Sequence, residues 1–90
     1  AGAFAIVLEC INIKLAKKIT QSVNIPTIGI GSSKYCNGQI LVIDDLIGLS
    51  GFYPKFVKKY ISLDKTIGKI IKKYRSDVIK EKFPTISNSY

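Results

Sequence analysis

Ala3-Phe4-Ala5-Ile6-Val7-Leu8-Glu9, followed later by Thr27-Ile28-Gly29-Ile30-Gly31-Ser32-Ser33, are the stretches that decide the fold. The first is apolar without alternation until Glu9, the pattern of a strand covered on both faces in a parallel sheet. Between the two, Asn12 stands where it can cap a helix. Leu15, Ala16, Ile19 and Val23 fall on one face of that helix, with Lys14, Lys17, Lys18 and Gln21 around the rest. Asn24 and Pro26 end it, and 27–30 reads as a second strand entering a glycine turn. Strand, helix and strand together make a βαβ unit, so the fold class is α/β.

Beyond that unit, residues 39–43 read as a third strand ending in the paired carboxylates Asp44 and Asp45. Only residues 32–38 separate it from the second strand, and Asn37-Gly38 is a common hairpin turn. Local pattern alone therefore favours an antiparallel pair, since a parallel crossover normally takes about a dozen residues. Gly48 and Gly51 bracket a flexible loop, and Pro54 suits the first turn of a short helix over 55–60. Ser62 is placed to cap a longer helix with Asp64 near its positive end and Ile67, Ile70, Ile71, Tyr74 and Val78 as its buried stripe. Gly68 weakens that helix by about 1 kcal/mol relative to Ala. Pro84 closes the helical region, and the polar tail 85–90 is expected to be extended.

The chain has 90 residues, 47% hydrophobic and 22% charged, which excludes a disordered segment and fits one small domain. No apolar run approaches the roughly 20 residues of a membrane span, and no basic region precedes the apolar opening, so neither a membrane segment nor a signal peptide is expected. Cys10 and Cys36 are too few for a disulfide scaffold and do not form a Cys-x-x-Cys pair, which points to a reducing cytoplasm. The net charge of +8 raises a nucleic-acid-binding alternative through Lys65, Lys69, Lys72, Lys73 and Lys80. Arg75 is the single arginine, however, and lysines at helical spacing ordinarily form a solvated face. Neither a nucleic-acid nor a membrane partner is therefore expected. Three strands cannot close a barrel, the first would have a bare edge, and the sequence contains no Met. These features lead us to expect a piece of a longer protein.

Glu9 is the leading candidate for chemistry. It stands where a buried apolar strand gives way to a loop, the end of a parallel sheet at which active sites form, and a partly desolvated carboxylate there can serve as a general base. The plainer reading is a loop Glu paired with Lys14 or Lys34. Asp44 and Asp45 offer oxygen ligands of the kind Mg2+ takes, but neighbours on a strand point to opposite faces, which favours one of them capping the following turn. Gly29-x-Gly31-Ser32-Ser33 resembles a phosphate cradle only loosely. Cys10 and Cys36 have no His to activate them and are expected to be small core residues.

Three segments together resemble the ketopantoate hydroxymethyltransferase family. The first is Gly2-Ala3-Phe4-Ala5-Ile6-Val7-Leu8-Glu9-Cys10 with Leu15-Ala16-Lys17, Ile19-Thr20 and Ile25-Pro26-Thr27-Ile28-Gly29-Ile30-Gly31. The second is Cys36-Asn37-Gly38-Gln39-Ile40-Leu41-Val42 leading to Asp45-Leu46-Ile47-Gly48-Leu49. The third is Gly51-Phe52 with Pro54-Lys55-Phe56-Val57-Lys58-Lys59-Tyr60 and Phe83-Pro84. The resemblance implies a partial (β/α)8 TIM barrel made of the last three parallel strands with their helices, from a domain of about 250 residues. Residues 32–38 would then be an abbreviated crossover. By the same resemblance Glu9 is the catalytic base, and Mg2+ chelates the carboxylate and keto oxygens of 3-methyl-2-oxobutanoate. The co-substrate 5,10-methylenetetrahydrofolate supplies the hydroxymethyl carbon, and whole enzymes assemble as homo-oligomers. The family's metal-binding aspartates and substrate-binding lysine fall in earlier strands, so no metal ligand is assigned here, and the 90 residues alone are expected to be inactive. Departures from the family include Asp44 where it usually has a ring side chain and Ser32-Ser33 where it has Ala-Gly.

Overall fold

The computed structural model, which describes residues 1–90, pairs Ile6–Glu9 (β1) with Thr27–Ile30 (β2) in parallel, with Ile6 opposite Thr27 and Glu9 opposite Ile30. The helix between them, Ile13–Ser22 (α1), begins as its cap requires. The Asn12 side chain accepts a hydrogen bond from the Lys14 amide at 2.9 Å, satisfying one of the amides that a helix start leaves open. Leu8, Ala16 and Cys36 form the buried centre, with Ile6, Ile11 and Ile19 packed around them. Leu15 was expected on this face but is half exposed; the covered side of α1 runs instead through Ala16, Ile19 and Thr20.

The third strand, Gly38–Gln39 (β3), also runs parallel, in the sheet order β1-β2-β3, so the local hairpin signal is overruled. A side chain does the overruling. The Asn37 Oδ1 accepts from the Thr27 amide at 2.9 Å and from the Thr27 hydroxyl at 3.1 Å, and the Asn37 amide donates back to Thr27 Oγ1 at 3.2 Å. Asn37 is thus fastened beside the first residue of β2, and the chain that follows must run the same way as β2. Thr27 is fully buried and also shares a 2.9 Å hydrogen bond with Thr20 of α1, so one hydroxyl joins helix, strand and crossover. Replacing Thr27 with Val keeps the shape and the backbone-amide bond to Asn37 Oδ1, but it leaves the Asn37 amide without its acceptor and removes the hydroxyl's bonds to Asn37 Oδ1 and Thr20. We expect a loss of about 1–3 kcal/mol, read as a lower urea midpoint at unchanged slope.

The remaining elements differ from the sequence reading in instructive ways. β1 starts at Ile6 and not at Ala3, and Phe4 is solvent-exposed. β3 stops at Gln39 in place of 43; the Ile40 amide still reaches Gly29 O at 3.0 Å, after which the chain turns into a short helix, Ile43–Ile47 (α2). Asp44 and Asp45 therefore lie in the first turn of a helix, where negative charge is favoured, and not at a strand end. No helix forms over 55–60: a single Val57-to-Pro54 backbone bond at 2.9 Å marks one turn. The tail is not extended but makes a 3-10 turn at Ile86–Asn88.

The long helix, Leu63–Ile79 (α3), forms as its periodicity predicts, although Ser62 supplies no side-chain cap. Its stripe was expected to be buried, yet Ile67, Ile70, Ile71, Tyr74 and Val78 are all exposed, and only Tyr74 finds a partner, the Phe83 ring edge-on at 5.5 Å. The helix extends away from the sheet, giving a body of 66 × 27 × 17 Å. Periodicity specifies which side of a helix is apolar; covering that side takes a surface that three short strands do not offer. No helix is long and apolar enough to cross a membrane.

Candidate active site at the carboxyl ends of the strands

Alternation along β1 sends Ile6 and Leu8 toward α1, and Val7 and Glu9 to the opposite face. In register, that second face continues through Ile28 and Ile30 of β2 and Gly38 of β3, with Ile40 two residues on. Nothing in the chain covers it: Val7 is 57% and Ile40 51% exposed. Glu9 is thus the one charged side chain at the carboxyl end of an otherwise apolar sheet face. It is exposed in this chain, so the desolvation expected of it is not provided by these residues. Its expected alternative partners, Lys14 and Lys34, do not pair with it, and the chain's salt bridge joins Lys73 to Asp77 at 2.6 Å.

Directly after Glu9 the backbone turns sharply. Cys10 adopts φ 53°, a left-handed conformation uncommon for a side-chain-bearing residue, while its amide holds Ile30 O at 2.9 Å. Cys10 is exposed and is not the small core residue the sequence suggested, whereas Cys36 is buried as expected. The two loops that leave β1 and β2 are then tied together by the Ser32 hydroxyl, which donates to Ile11 O at 3.2 Å. Ser33 Oγ accepts from the Tyr35 amide at 3.2 Å, and the Gln39 side chain donates to Ser33 O at 2.7 Å. The Ser32 hydroxyl is thus engaged with the neighbouring loop and Ser33 within its own turn, an arrangement that gives the phosphate-cradle reading no support.

These loops border a wide-open, shallow cleft of about 770 Å³. Residues 10–13 form one wall and 31–34 another, with Gln39 beneath and Lys55 and Phe56 completing it. The sequence reading missed Lys55 and Phe56 by assigning them to a helix. The available signal was Gly31, whose φ of +60° and lack of a side chain admit the Phe56 ring: a Cβ there would lie 2.5 Å from Phe56 Cγ.

Asp44 and Asp45 do not join Glu9. Asp45 accepts a short hydrogen bond from the Ser50 hydroxyl, closing the loop after α2, as the plainer reading of the pair held. No three His, Cys, Asp or Glu side chains converge anywhere in the chain. A hard cation such as Mg2+ needs several oxygen ligands, so this chain's residues do not by themselves fit one.

A family model described as ketopantoate hydroxymethyltransferase matches residues 1–86. The chain belongs to this family. A 3-methyl-2-oxobutanoate hydroxymethyltransferase of Pelagibacter ubique is 53% identical over 90 residues, covering all of this chain and 35% of that protein. The Trichodesmium erythraeum protein of the same name is 57% identical over 84 residues, 93% of this chain and 32% of its own length. That of Thermotoga maritima is 52% identical over 90 residues, 99% of this chain and 33% of its own. The chain thus spans about a third of the length of the curated family members it matches. None of these three carries a name that refers to nucleic acid, and the lysine-rich face of α3 gains no support as a binding module.

Proposed function

We propose that this chain supplies the general base and part of the substrate cleft of a hydroxymethyltransferase. That enzyme would convert 3-methyl-2-oxobutanoate to 2-dehydropantoate with 5,10-methylenetetrahydrofolate as one-carbon donor. The observation that carries the reading is Glu9: an unpaired carboxylate ending β1 on the sheet face opposite α1, one residue before the loop that lines the cleft, although Glu9 itself does not line it. The relatives' names supply the reaction class. In this reading β1, β2 and β3 are the last three strands of a (β/α)8 barrel, and further strands cover the bare edge of β1 and its apolar inner face.

Glu9 would take the proton from the carbon next to the keto group, and the carbanion so formed would bond to the methylene carbon of the folate as one of its two C–N bonds breaks; attack of water on that carbon would break the second, leaving the hydroxymethyl group on the product and releasing tetrahydrofolate with its nitrogens protonated. Enclosure by the rest of the barrel would desolvate the carboxylate and hold the substrate within reach of it, two conditions for efficient proton abstraction. We assign the Mg2+ ligands and the folate site to the part of the barrel outside these residues. The complete enzyme would assemble as a homo-oligomer, as the resemblance implies, and two unpaired cysteines suit the cytoplasm.

A chimera tests this. The 90 residues are placed in the Pelagibacter ubique relative in exchange for their aligned segment, and turnover of 3-methyl-2-oxobutanoate is measured. We expect the chimera to turn over and the 90 residues alone to show neither turnover nor Mg2+-dependent binding of the 2-oxo acid. A folded chimera without activity, or binding by the 90 residues alone, refutes the proposal.

A further inference from the structure

Between Gly51 and Lys59 the chain crosses to the cleft without regular structure, and its attachment there is sparse. Its backbone bond, Val57 to Pro54, is internal, as is the 3.4 Å contact of the Gly51 amide with the Tyr53 hydroxyl. Hydrogen bonds to the rest of the molecule occur only at its two ends: the Ser50 hydroxyl to Asp45, and the Tyr60 amide to Leu46 O at 2.8 Å. In the middle, Phe56 is partly buried against Gly31, at the carboxyl end of β2. The same ring lines the cleft beside residues 10–13 and a second concavity of about 380 Å³ over Gln39, Ile40 and Leu46, so it separates the two.

We propose that residues 51–59 are a strap over the cleft, latched by Phe56 on Gly31, and that Phe56 is a positioning residue setting the affinity for the 2-oxo acid. The inference rests on the reading of the cleft as the substrate site. A segment whose hydrogen bonds to the rest of the molecule lie only at its flanks, and whose side chains Tyr53, Pro54, Phe56 and Val57 are at most partly buried, belongs to the low-stability end of a structure, where opening is local and frequent. The ring seated on Gly31 therefore controls how much of the time the strap is down, and with it the fraction of molecules competent to retain substrate. Gly31 takes part because any Cβ would occupy the seat of the ring.

The test uses Phe56→Ala, Phe56→Leu and Gly31→Ala in the chimeric enzyme, with two readouts. The first is tryptic cleavage at Lys58 and Lys59, compared with cleavage at Lys17 and Lys18 in α1. Phe56→Ala should raise strap cleavage by about tenfold while leaving α1 unchanged, as expected of sub-global opening. Phe56→Leu should recover most of the protection, and adding Gly31→Ala to Phe56→Ala should give little further effect on the strap. The second readout is kinetic: the KM for the 2-oxo acid should rise about tenfold in Phe56→Ala, with kcat falling less. Equal increases at both cleavage sites would indicate general loosening and overturn the latch; an unchanged KM would overturn its role in retention. Neither result bears on Glu9, whose own substitution reports separately on the proposed chemistry.

Discussion

Glu9→Gln in the chimeric enzyme is expected to lower kcat by about 10²–10⁴-fold, the range that a positioned general base contributes, with far less change in the KM for the 2-oxo acid. The substitution conserves size and the ability to hydrogen-bond while removing the capacity to accept a proton. Structural side effects should be small. Within this chain the Glu9 carboxylate has no ion-pair partner to lose, and its backbone stays in the parallel ladder opposite Ile30. Glu9→Asp is the informative companion. It keeps the charge but withdraws the carboxylate by one methylene, and a misplacement of about 1 Å at a reacting centre can cost about 10²-fold. A base held on a strand end cannot make up that distance by loop movement, so Asp should rescue only partly. Single-turnover rates compare the two directly. A Glu9→Gln enzyme that turns over within a few-fold of the parent would remove Glu9 from the reaction.

The candidate base was legible in the sequence because its setting is local: an unbroken apolar run that stops at a carboxylate announces a strand end. The same holds for β2 and for α1, whose Asn12 cap and Pro26 stop are written in adjacent residues. The direction of β3 was not legible from local pattern. Asn37-Gly38 signals a hairpin to any short-range rule, and what defeats it is a set of three hydrogen bonds with Thr27, ten residues back. Only the family resemblance pointed to the parallel arrangement. The run Ile40-Leu41-Val42-Ile43 reads as a strand by composition, yet the acidic residues that follow and the Gly48 cap favour a helix from Ile43. For α3 the apolar side was readable and its burial was not, because burial belongs to the partner as much as to the helix. Phe56 was hidden for a related reason: its importance lies in an approach to Gly31, and a contact across 25 positions leaves no mark in the periodicity of either segment.

Gly48→Ala is expected to destabilise the protein by about 2–4 kcal/mol, against about 1 kcal/mol for Gly51→Ala, although the two glycines have nearly the same backbone conformation. Gly48 sits at φ +78° and Gly51 at φ +75°, so each substitution incurs the cost of a left-handed L-residue. The difference is in what surrounds them. A Cβ on Gly51 would meet nothing within 4 Å, whereas one on Gly48 would strike the Ile61 carbonyl oxygen and lie 2.9 Å from the Ser62 Cα. Both of those atoms are backbone, which cannot rotate aside as a flexible side chain can. The crowding follows from the joint between α2 and α3: Gly48 ends α2, its carbonyl accepts from the Asp64 amide at 3.2 Å, and Tyr60 returns to Leu46 nearby. Forcing that joint apart would also release the far end of the 51–59 segment, so Gly48→Ala should expose Lys58 and Lys59 to trypsin as Phe56→Ala does, and Gly51→Ala should not. Urea melts at constant slope supply the energies. Equal midpoints for the two variants would show that backbone conformation alone, and not the approach of Ile61, constrains position 48.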